Sequence, residues 1–371
     1  MKDFIAQIEP WIGKEERIQL NRVIHSTYVT EHDLTKEFEE KIKQLTGSKY
    51  AIAMTNGTAA LYCCLKSLDI GAGDEVIVPN LTFIATSNVV IWANATPVFC
   101  DVSAKTLCID PEQIEKLITP RTKAIIPVHL YGQSADMSAI LDIAKKHNLK
   151  VIEDAAQGVG VTFNDKHTGT FGDMGILSFY GNKTITCGEG GVILTDSKKL
   201  RDLSYRLKNH GRSSKGTFKH DSIGYNFAFT EMQAAIGIAQ LNKLSKIIQK
   251  KQEIHDLYCK ELYQLNDKFT RIELDKRCKP VWWFTSFTTS EKNNIKQFLL
   301  ARNIQTRDFF YPLHKQPCYE HLKIKGNFQV SEEAYANGIS LPSSYNLTVE
   351  QQRYIIQSIK EFYGCLNDTI S

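Results

Sequence analysis

The stretch GILSFYGNKTITCGEGGVILT, residues 175–195, contains two short apolar runs joined by a polar, glycine-rich segment. Residues 175–180 and 191–195 have the length and the aliphatic and aromatic content of buried strands. Lys183 lies in the segment between them. A lysine held beside apolar strands and glycines can lose its charge through desolvation, which leaves an amine able to form an imine. An ordinary surface-loop lysine is the alternative interpretation at this point.

Short apolar runs of the same kind alternate with helical patterns between residues 50 and 200. They include residues 75–78, 97–100, 123–128 and 150–153. Continuous apolar strands separated by helices predict a parallel sheet that is covered on both faces. The predicted fold class is therefore α/β with a mostly parallel central sheet.

A long helical pattern follows this region. It opens at residues 230–233, Thr-Glu-Met-Gln, which have the spacing of a capping box, and it extends to about Leu262. A helix of this length is predicted to bridge two parts of the chain. Beyond it the pattern changes to amphipathic helices and strand-like runs such as residues 281–285. We therefore predict a large domain with the N-terminal segment over residues 1–250, and a smaller α+β domain over residues 251–371.

Composition narrows the class of protein. The 371 residues carry a formal net charge of +4, with 42% hydrophobic and 23% charged residues, which gives no reason to expect nucleic acid or a membrane as a partner. No run reaches the roughly 18 apolar residues of a membrane span, and the start of the chain lacks a signal-peptide pattern. The nine cysteines contain no C-x-x-C pair, which favours reduced thiols in a cytoplasmic protein over disulfides or a metal site.

An acidic residue stands, like the lysine, after an apolar run of the sequence. Asp154 follows an apolar run, and Gln157 lies three residues further along. A lysine and a carboxylate at strand ends are what pyridoxal phosphate (PLP) requires, namely an amine for the imine and an anion for the ring nitrogen. The carboxylate would keep the ring protonated through a charge-assisted hydrogen bond. Capping of a following helix is the alternative role for Asp154.

Gly57 and Thr58 open a helix after the apolar run at residues 50–54. The free N–H groups and the dipole of such a helix start favour an anion, for which a phosphate is suited, although a capping turn without a ligand has the same sequence. Ser178 either donates its hydroxyl to that phosphate or bonds to backbone, and Phe83 either stacks on a ligand ring or belongs to the core. The combination, in this order and at these separations, predicts a PLP site.

These residues lie within ordered blocks that span nearly the whole chain. In them the sequence resembles the DegT/DnrJ/EryC1/StrS family of PLP-dependent nucleotide-sugar aminotransferases. The blocks that carry the resemblance are PWIG (10–13), NGTAAL (56–61), GDEVIVP (73–79), PVHLYGQ (127–133), EDAAQ (153–157), GTFGD (169–173), GEGG (188–191), NHGR (209–212), GYN (224–226) and TEMQAA (230–235).

The resemblance implies a fold of the aspartate-aminotransferase type and PLP as the cofactor. Lys183 would carry PLP covalently, Asp154 would pair with the pyridine nitrogen, and Gln157 would lie near the ring hydroxyl. The other implied contacts are Gly57, Thr58 and Ser178 on the phosphate, Phe83 on the ring, and Asn226 on the phosphate from a neighbouring subunit. Because one contact would cross between subunits, the resemblance also implies a homodimer.

Two further stretches bear on the substrate. GNKTIT (181–186) and FFYPLH (309–314) are similar to family members that use L-glutamate to aminate C4 of a GDP-linked 4-keto-6-deoxymannose for O-antigen or other glycan synthesis. Asp308 stands where those members have proline, so another nucleotide-linked keto-sugar, dTDP- or UDP-linked and aminated at C3 or C4, stays open. The expected substrate contacts are Arg212, Arg307, Tyr311 and His314, with a structural role as the equal alternative for His314.

Two other functions fit the same scaffold. A PLP-dependent sugar dehydratase often has histidine at the lysine position, and Lys183 argues against it. A regulatory relative without turnover is disfavoured by the intact Lys183, Asp154 and Ser178. The sequence therefore predicts an aminotransferase that acts on L-glutamate and a nucleotide-linked keto-deoxysugar.

Overall fold

The computed structural model describes residues 3–212, 214, 216–265 and 267–365, and its strands form three sheets. In chain order the strands are β1 (Tyr50–Met54), β2 (Glu75–Pro79), β3 (Thr96–Cys100), β4 (Thr122–Ile125), β5 (Lys150–Asp154), β6 (Thr162–Phe163), β7 (Lys166–His167), β8 (Met174–Ser178), β9 (Gly191–Thr195), β10 (Thr270–Arg271), β11 (Cys278–Lys279), β12 (Thr285–Thr288), β13 (Arg307–Asp308) and β14 (Gly338–Leu341).

The largest sheet has seven strands in the order β1-β9-β8-β5-β4-β2-β3. Its pairings are parallel except those of β9, which runs antiparallel to both β1 and β8. The predicted mostly parallel sheet is therefore confirmed. The antiparallel strand is the second apolar run of residues 175–195. The loop before it, residues 179–190, contains no helix, and a parallel return needs a longer crossover, usually a helical one.

Helices pack on both faces of this sheet and on the four-stranded sheet β10-β12-β14-β13 in the C-terminal part of the chain. They are α1 (Lys14–Ser26), α2 (Asp33–Thr46), α3 (Gly57–Ser67), α4 (Ala85–Trp92), α5 (Pro111–Leu117), α6 (Met137–His147), α7 (Lys198–Lys208), α8 (Glu231–Glu261), α9 (Lys292–Leu300), α10 (Gln329–Asn337) and α11 (Val349–Phe362). None of the helices in the described part of the chain has the length and apolar character that a bilayer span requires.

Alternation along the strands divides the apolar side chains between two cores. In β9, Ile193 packs in a core with residues of α3 and α4, whereas Val192 and Leu194 pack in a second core with residues of α2 and α8. All these positions are buried, as expected for a strand enclosed on both sides. The polar side chains that carry chemistry are therefore found at strand ends.

The 31-residue helix α8 joins the central sheet to the C-terminal part of the chain. Its N-terminus has the predicted capping box, and it ends one residue before Leu262. Leu244 packs in a core beneath the central sheet, and Ile254 and Tyr258 pack with the four-stranded sheet β10-β12-β14-β13. The helix is continuous through residue 250, where the predicted domain boundary stays a prediction.

Two segments near the C-terminal sheet differ from simple pattern expectations. The predicted strand at residues 281–285 is wrong, because β12 begins only at Thr285 and the preceding residues pack irregularly against Gly132. At the other end of the chain, Ile5 pairs with Ile304 and the side-chain amide of Gln7 donates to the carbonyl of Leu341. The N-terminal segment thus packs on the C-terminal sheet as well as on α8.

Candidate active site

Lys183 lies in the loop between β8 and β9, where it is partly buried. Its Nζ is 4.3 Å from the centroid of the Trp283 ring, and the Trp283 indole N–H donates to the carbonyl of Asn182 at 2.7 Å. The pKa of Lys183 is lowered to about 8, mainly by burial; the Asp154 carboxylate acts to raise this pKa and the Arg307 charge to lower it. Lys183 is therefore not a freely solvated loop lysine.

Asp154 is the last residue of β5 and is 5% exposed. Its Oδ2 accepts a hydrogen bond from the Thr86 hydroxyl at 2.8 Å, and its Oδ1 accepts one from the Ala156 amide at 3.1 Å. The residues that follow form turns and not a helix, so Asp154 does not cap a helix. Two donors fix this carboxylate at the strand end, close enough to Lys183 for the charges to interact.

Gln157 is buried in the turn after β5. Its Oε1 accepts a hydrogen bond from the Tyr131 backbone N–H at 2.7 Å. Tyr131 has a φ of 53°, a left-handed conformation that is unfavourable by about 1 kcal/mol for a residue with a side chain. The hydrogen bond from Gln157 helps to hold that conformation. The ring of Tyr131 lies parallel to that of Phe310, with centroids 5.7 Å apart.

The start of α3 has backbone N–H groups that suit an anion. Asn56 caps the helix by accepting from the Ala59 N–H, whereas the N–H groups of the first residues, Gly57 and Thr58, have no intrahelical acceptor. A Cβ added to Gly57 would lie 3.1 Å from the Cβ of Ser178 and 3.3 Å from its Oγ. The helix start and the last residue of β8 therefore face each other across a gap that a side chain would fill.

Phe83 lies in the loop between β2 and α4 and is 56% exposed. Its ring centroid is 6.2 Å from that of Phe310, which in turn contacts Tyr131. The exposed ring excludes the core-aromatic alternative for Phe83 within this chain. Phe83, Phe310, Tyr131 and Trp283 together form an aromatic wall beside Lys183.

Asn226 and Arg212 lie together in another segment. Asn226 is exposed and bridges to Asn209, and the Arg212 guanidinium lies 5.4 Å from the centroid of Phe218. No contact among the described residues joins either side chain to Lys183. Their roles at the cofactor and the substrate stay predictions.

The three remaining predicted substrate contacts differ in their surroundings. Arg307 is exposed and is near enough to Lys183 to lower the pKa of its amine. Tyr311 is 39% exposed and meets Tyr335 edge to face. Both ring nitrogens of His314 have partners, Nδ1 with the Asn80 side chain and Nε2 with the Glu332 carboxylate. This geometry favours the structural alternative for His314.

The arrangement has the donor set that PLP requires: an amine of lowered pKa, a fixed carboxylate, a helix start with free N–H groups, and an exposed aromatic ring. The sequence profile of the DegT/DnrJ/EryC1/StrS aminotransferase family matches residues 10–360. The chain belongs to this family. Its fold is accordingly the PLP-dependent transferase fold of the aspartate-aminotransferase type, as predicted.

Individual relatives cover nearly the whole chain. The chain is 39% identical to a GDP-perosamine synthase of Escherichia coli O157:H7, over 97% of this chain and 99% of the relative. It is 36% identical to a GDP-perosamine synthase of Vibrio cholerae, over 98% and 100%. The solved PLP form of a putative sugar aminotransferase from Streptococcus pneumoniae superposes with a TM-score of 0.93 at 25% identity, covering 98% of this chain and 100% of that one.

Several site residues of this family member were not among the predicted ones: Thr86, Tyr131, Trp283 and Phe310. Tyr131 stands in the PVHLYGQ block and Phe310 in the FFYPLH stretch, so the sequence showed that both lie in segments similar to the family, but it did not show that their rings contact each other. Trp283 stands in a strand-like run that gave no sign of facing a lysine. Thr86 is an ordinary helix residue, and no local signal distinguishes it.

Proposed function

We propose that this family member is a PLP-dependent aminotransferase that moves the amino group of L-glutamate to C4 of a GDP-linked 4-keto-6-deoxymannose, forming GDP-perosamine. The two relatives named as GDP-perosamine synthases support this substrate. One observation carries the chemistry: the amine of Lys183 lies against an indole face and close enough to a buried carboxylate for their charges to interact, and the start of a helix lies next to Ser178 at a strand end of the same sheet.

PLP, when bound, supplies an aldehyde that takes up amines as imines and a ring that stabilises negative charge during proton transfer. Asp154 is proposed to hold a proton on the pyridine nitrogen, since its carboxylate is fixed by Thr86 and Ala156 and keeps room for a third donor. Gln157 is expected near the ring hydroxyl, and Phe83 offers an exposed face for stacking.

Lys183 is proposed to carry the cofactor and to move the proton at the reacting carbon. With a pKa of about 8, its amine is deprotonated more readily than an ordinary lysine, and a general base is most effective when its pKa lies near the working pH. Lys183 follows the carboxyl end of β8 and Asp154 ends the neighbouring parallel strand β5, so the proposed base and the proposed ring anchor belong to the same edge of the sheet.

The cofactor phosphate is proposed to bind at the start of α3. The first helical residues Gly57 and Thr58 have N–H groups without an intrahelical acceptor, Ser178 lies next to Gly57, and the helix dipole favours a negative charge there. Asn226 is proposed to complete this site in a homodimer by reaching the phosphate of the other subunit. The exposed side chain of Asn226 agrees with that role.

For the amino donor we propose Arg307 as a carboxylate contact. Its side chain is exposed, and its guanidinium carbon lies 5.3 Å from the centroid of the Phe284 ring. The planar fork of arginine suits a carboxylate, and its charge acts to lower the pKa of Lys183. Arg212 and Tyr311 stay proposed substrate contacts. The nine free cysteines support a cytoplasmic location.

Trapping the cofactor tests whether Lys183 carries PLP. The purified protein is loaded with PLP, reduced with borohydride, digested and mapped by mass spectrometry. The tag is expected on Lys183 and is expected to be absent from a folded Lys183→Ala variant, which should lack turnover. A tag on another lysine would overturn the proposed role.

A substrate panel tests which nucleotide sugar is aminated and at which carbon. The enzyme is incubated with L-glutamate and GDP-, dTDP- or UDP-linked keto-deoxysugars, and each product is identified by mass and NMR. We expect amination at C4 of the GDP-linked sugar. Amination of another nucleotide sugar, or at C3, would assign a different aminotransferase activity. Loss of a hydroxyl without amine transfer would assign a dehydratase, and failure to take up PLP would favour a non-catalytic relative.

A further inference from the structure

Trp283 makes two contacts with the loop that carries Lys183. The face of its ring lies 4.3 Å from the Lys183 Nζ, and its indole N–H donates to the carbonyl of Asn182, the residue before the lysine, at 2.7 Å. Trp283 is 2% exposed, and its ring stacks on that of Phe284 with centroids 3.9 Å apart. One side chain thus holds both the backbone before the lysine and the amine at its tip.

Trp283 is itself fixed from two directions. The Nζ of the buried Lys251 on α8 donates to the carbonyl of Trp283 at 3.0 Å and to the carbonyl of Ser343 at 3.2 Å. On the other side, Gly132 has a φ of 87°, and a Cβ added there would lie 2.7 Å from the backbone nitrogen of Trp283. The helix and the glycine turn therefore hold the tryptophan backbone in place.

We propose that Trp283 is a positioning residue for the transamination, holding the amine of Lys183 against its ring whenever that amine is not bonded to the cofactor. This inference rests on the proposed role of Lys183. A lysine side chain has four rotatable bonds, and free in a pocket it would sample many rotamers. Contact with a fixed aromatic face removes that freedom and keeps the amine beside the site.

The same contact influences the charge of the amine. An aromatic face attracts an ammonium group more than a neutral amine, so Trp283 favours the protonated form. Burial and the Arg307 charge act in the opposite direction, whereas the Asp154 carboxylate acts in the same one. The pH at which Lys183 loses its proton therefore reports on the ring face.

Trp282 provides a matched comparison in the neighbouring position. Its ring stacks on His255 with centroids 3.7 Å apart, and its indole N–H donates to the Gln252 side chain. Among the described residues, no contact joins Trp282 to Lys183. A change at Trp282 alters the same segment of chain without touching the lysine.

The test uses fluorinated tryptophan, which weakens the ring's attraction for a cation in steps while keeping its shape. The cofactor-free protein is prepared with ordinary tryptophan and with mono- to tetrafluorinated analogues. Lys183 is titrated by competitive acetylation with acetic anhydride and peptide mapping. We expect its midpoint to fall stepwise, by about 0.5 to 1 pH unit over the series. An unchanged midpoint would overturn the proposed contact.

Two variants complete the design. In Trp283→Phe the same fluorination should leave the Lys183 midpoint constant, since among the described residues no other tryptophan ring has a cation–π contact with Lys183; a shift there would assign the effect to another ring. Trp283→Phe also lacks the N–H that binds Asn182, so amide hydrogen exchange over residues 179–187 should become faster than in Trp282→Phe. Equal exchange rates in the two variants would refute the proposal that the Trp283 indole N–H holds the loop at Asn182.

Failure of this inference and failure of the proposed function give different results. If borohydride places the tag outside Lys183, the proposed function fails whatever fluorination does to the cofactor-free protein. If the tag is on Lys183 and fluorination does not move its midpoint, the function stands and the role of Trp283 is refuted.

Discussion

The most direct test of the site concerns the charge on Lys183, which two neighbours push in opposite directions. Its pKa is lowered from an ordinary value of 10.5 to about 8, with burial as the largest cause. At pH 7 a lysine with a pKa of 8 is about 9% neutral, whereas one with a pKa of 10.5 is about 0.03% neutral. The fold therefore raises the reactive fraction of this amine about 300-fold at neutral pH.

Removing the two charges separately should move the titration midpoint of Lys183 in opposite directions. The carboxylate of Asp154 favours the ammonium form, so Asp154→Asn should lower the midpoint. The guanidinium of Arg307 disfavours it, so Arg307→Met should raise the midpoint. Each shift should be smaller than the effect of burial, which is the largest cause, and the double variant should lie between the two single ones.

Competitive acetylation of the cofactor-free protein, followed by peptide mapping between pH 6 and 11, gives these midpoints for all three variants and the wild type. The midpoint is compared and not the absolute rate, because intrinsic reactivity differs between lysines. A wild-type midpoint near 10 would mean that Lys183 is solvated, contrary to its contacts with Trp283. A shift in the same direction for Asp154→Asn and Arg307→Met would refute the electrostatic argument.

Three other substitutions test separate parts of the structure. Thr86→Val keeps the shape of a buried side chain but removes the hydroxyl bonded to Asp154. A hydrogen bond to a charged group is worth about 1.5 to 3 kcal/mol, so PLP affinity in a spectral titration should fall about tenfold or more. Unchanged affinity would exclude a role for that bond in PLP binding. Gly132→Ala would place a Cβ 1.9 Å from a carbonyl oxygen, whereas at Gly47, which also has a positive φ, an added Cβ would have nothing within 4 Å. The urea midpoint of unfolding should therefore fall more in Gly132→Ala than in Gly47→Ala, which should lose only about 1 kcal/mol of stability. Equal losses of stability in the two variants would contradict the tight packing at Gly132. His314→Ala should lower the melting temperature and leave the KM for glutamate within about threefold, since both ring nitrogens are already bonded; a large rise in KM would instead make it a substrate contact.

Local pattern was sufficient for most of the central sheet and for α8. The predicted strands of the sheet appear with ends shifted by at most three residues, because a strand buried on both faces must be apolar throughout and that signal is local. The helix end near Leu262 was predictable for the same reason, since capping chemistry and apolar spacing lie within the helix itself. The run at residues 281–285 has the composition of a strand, but tertiary packing against Gly132 overrides it.

In the candidate site, too, local sequence pattern predicts some residues, whereas tertiary packing decides others. Lys183, Asp154 and the start of α3 were predictable because each stands at the end of an apolar element, where a parallel sheet gathers polar groups. Trp283 was not, since its partner Asn182 lies 101 residues away, and a buried tryptophan has the same local pattern whichever side chain it faces. Tyr131 adopts a left-handed backbone conformation that a tyrosine in the sequence does not predict. The side chain of Gln157 helps to hold this conformation through one hydrogen bond. The sequence thus specifies which groups reach the sheet edge, whereas the protonation and placement of the lysine depend on long-range contacts that only the folded chain brings together.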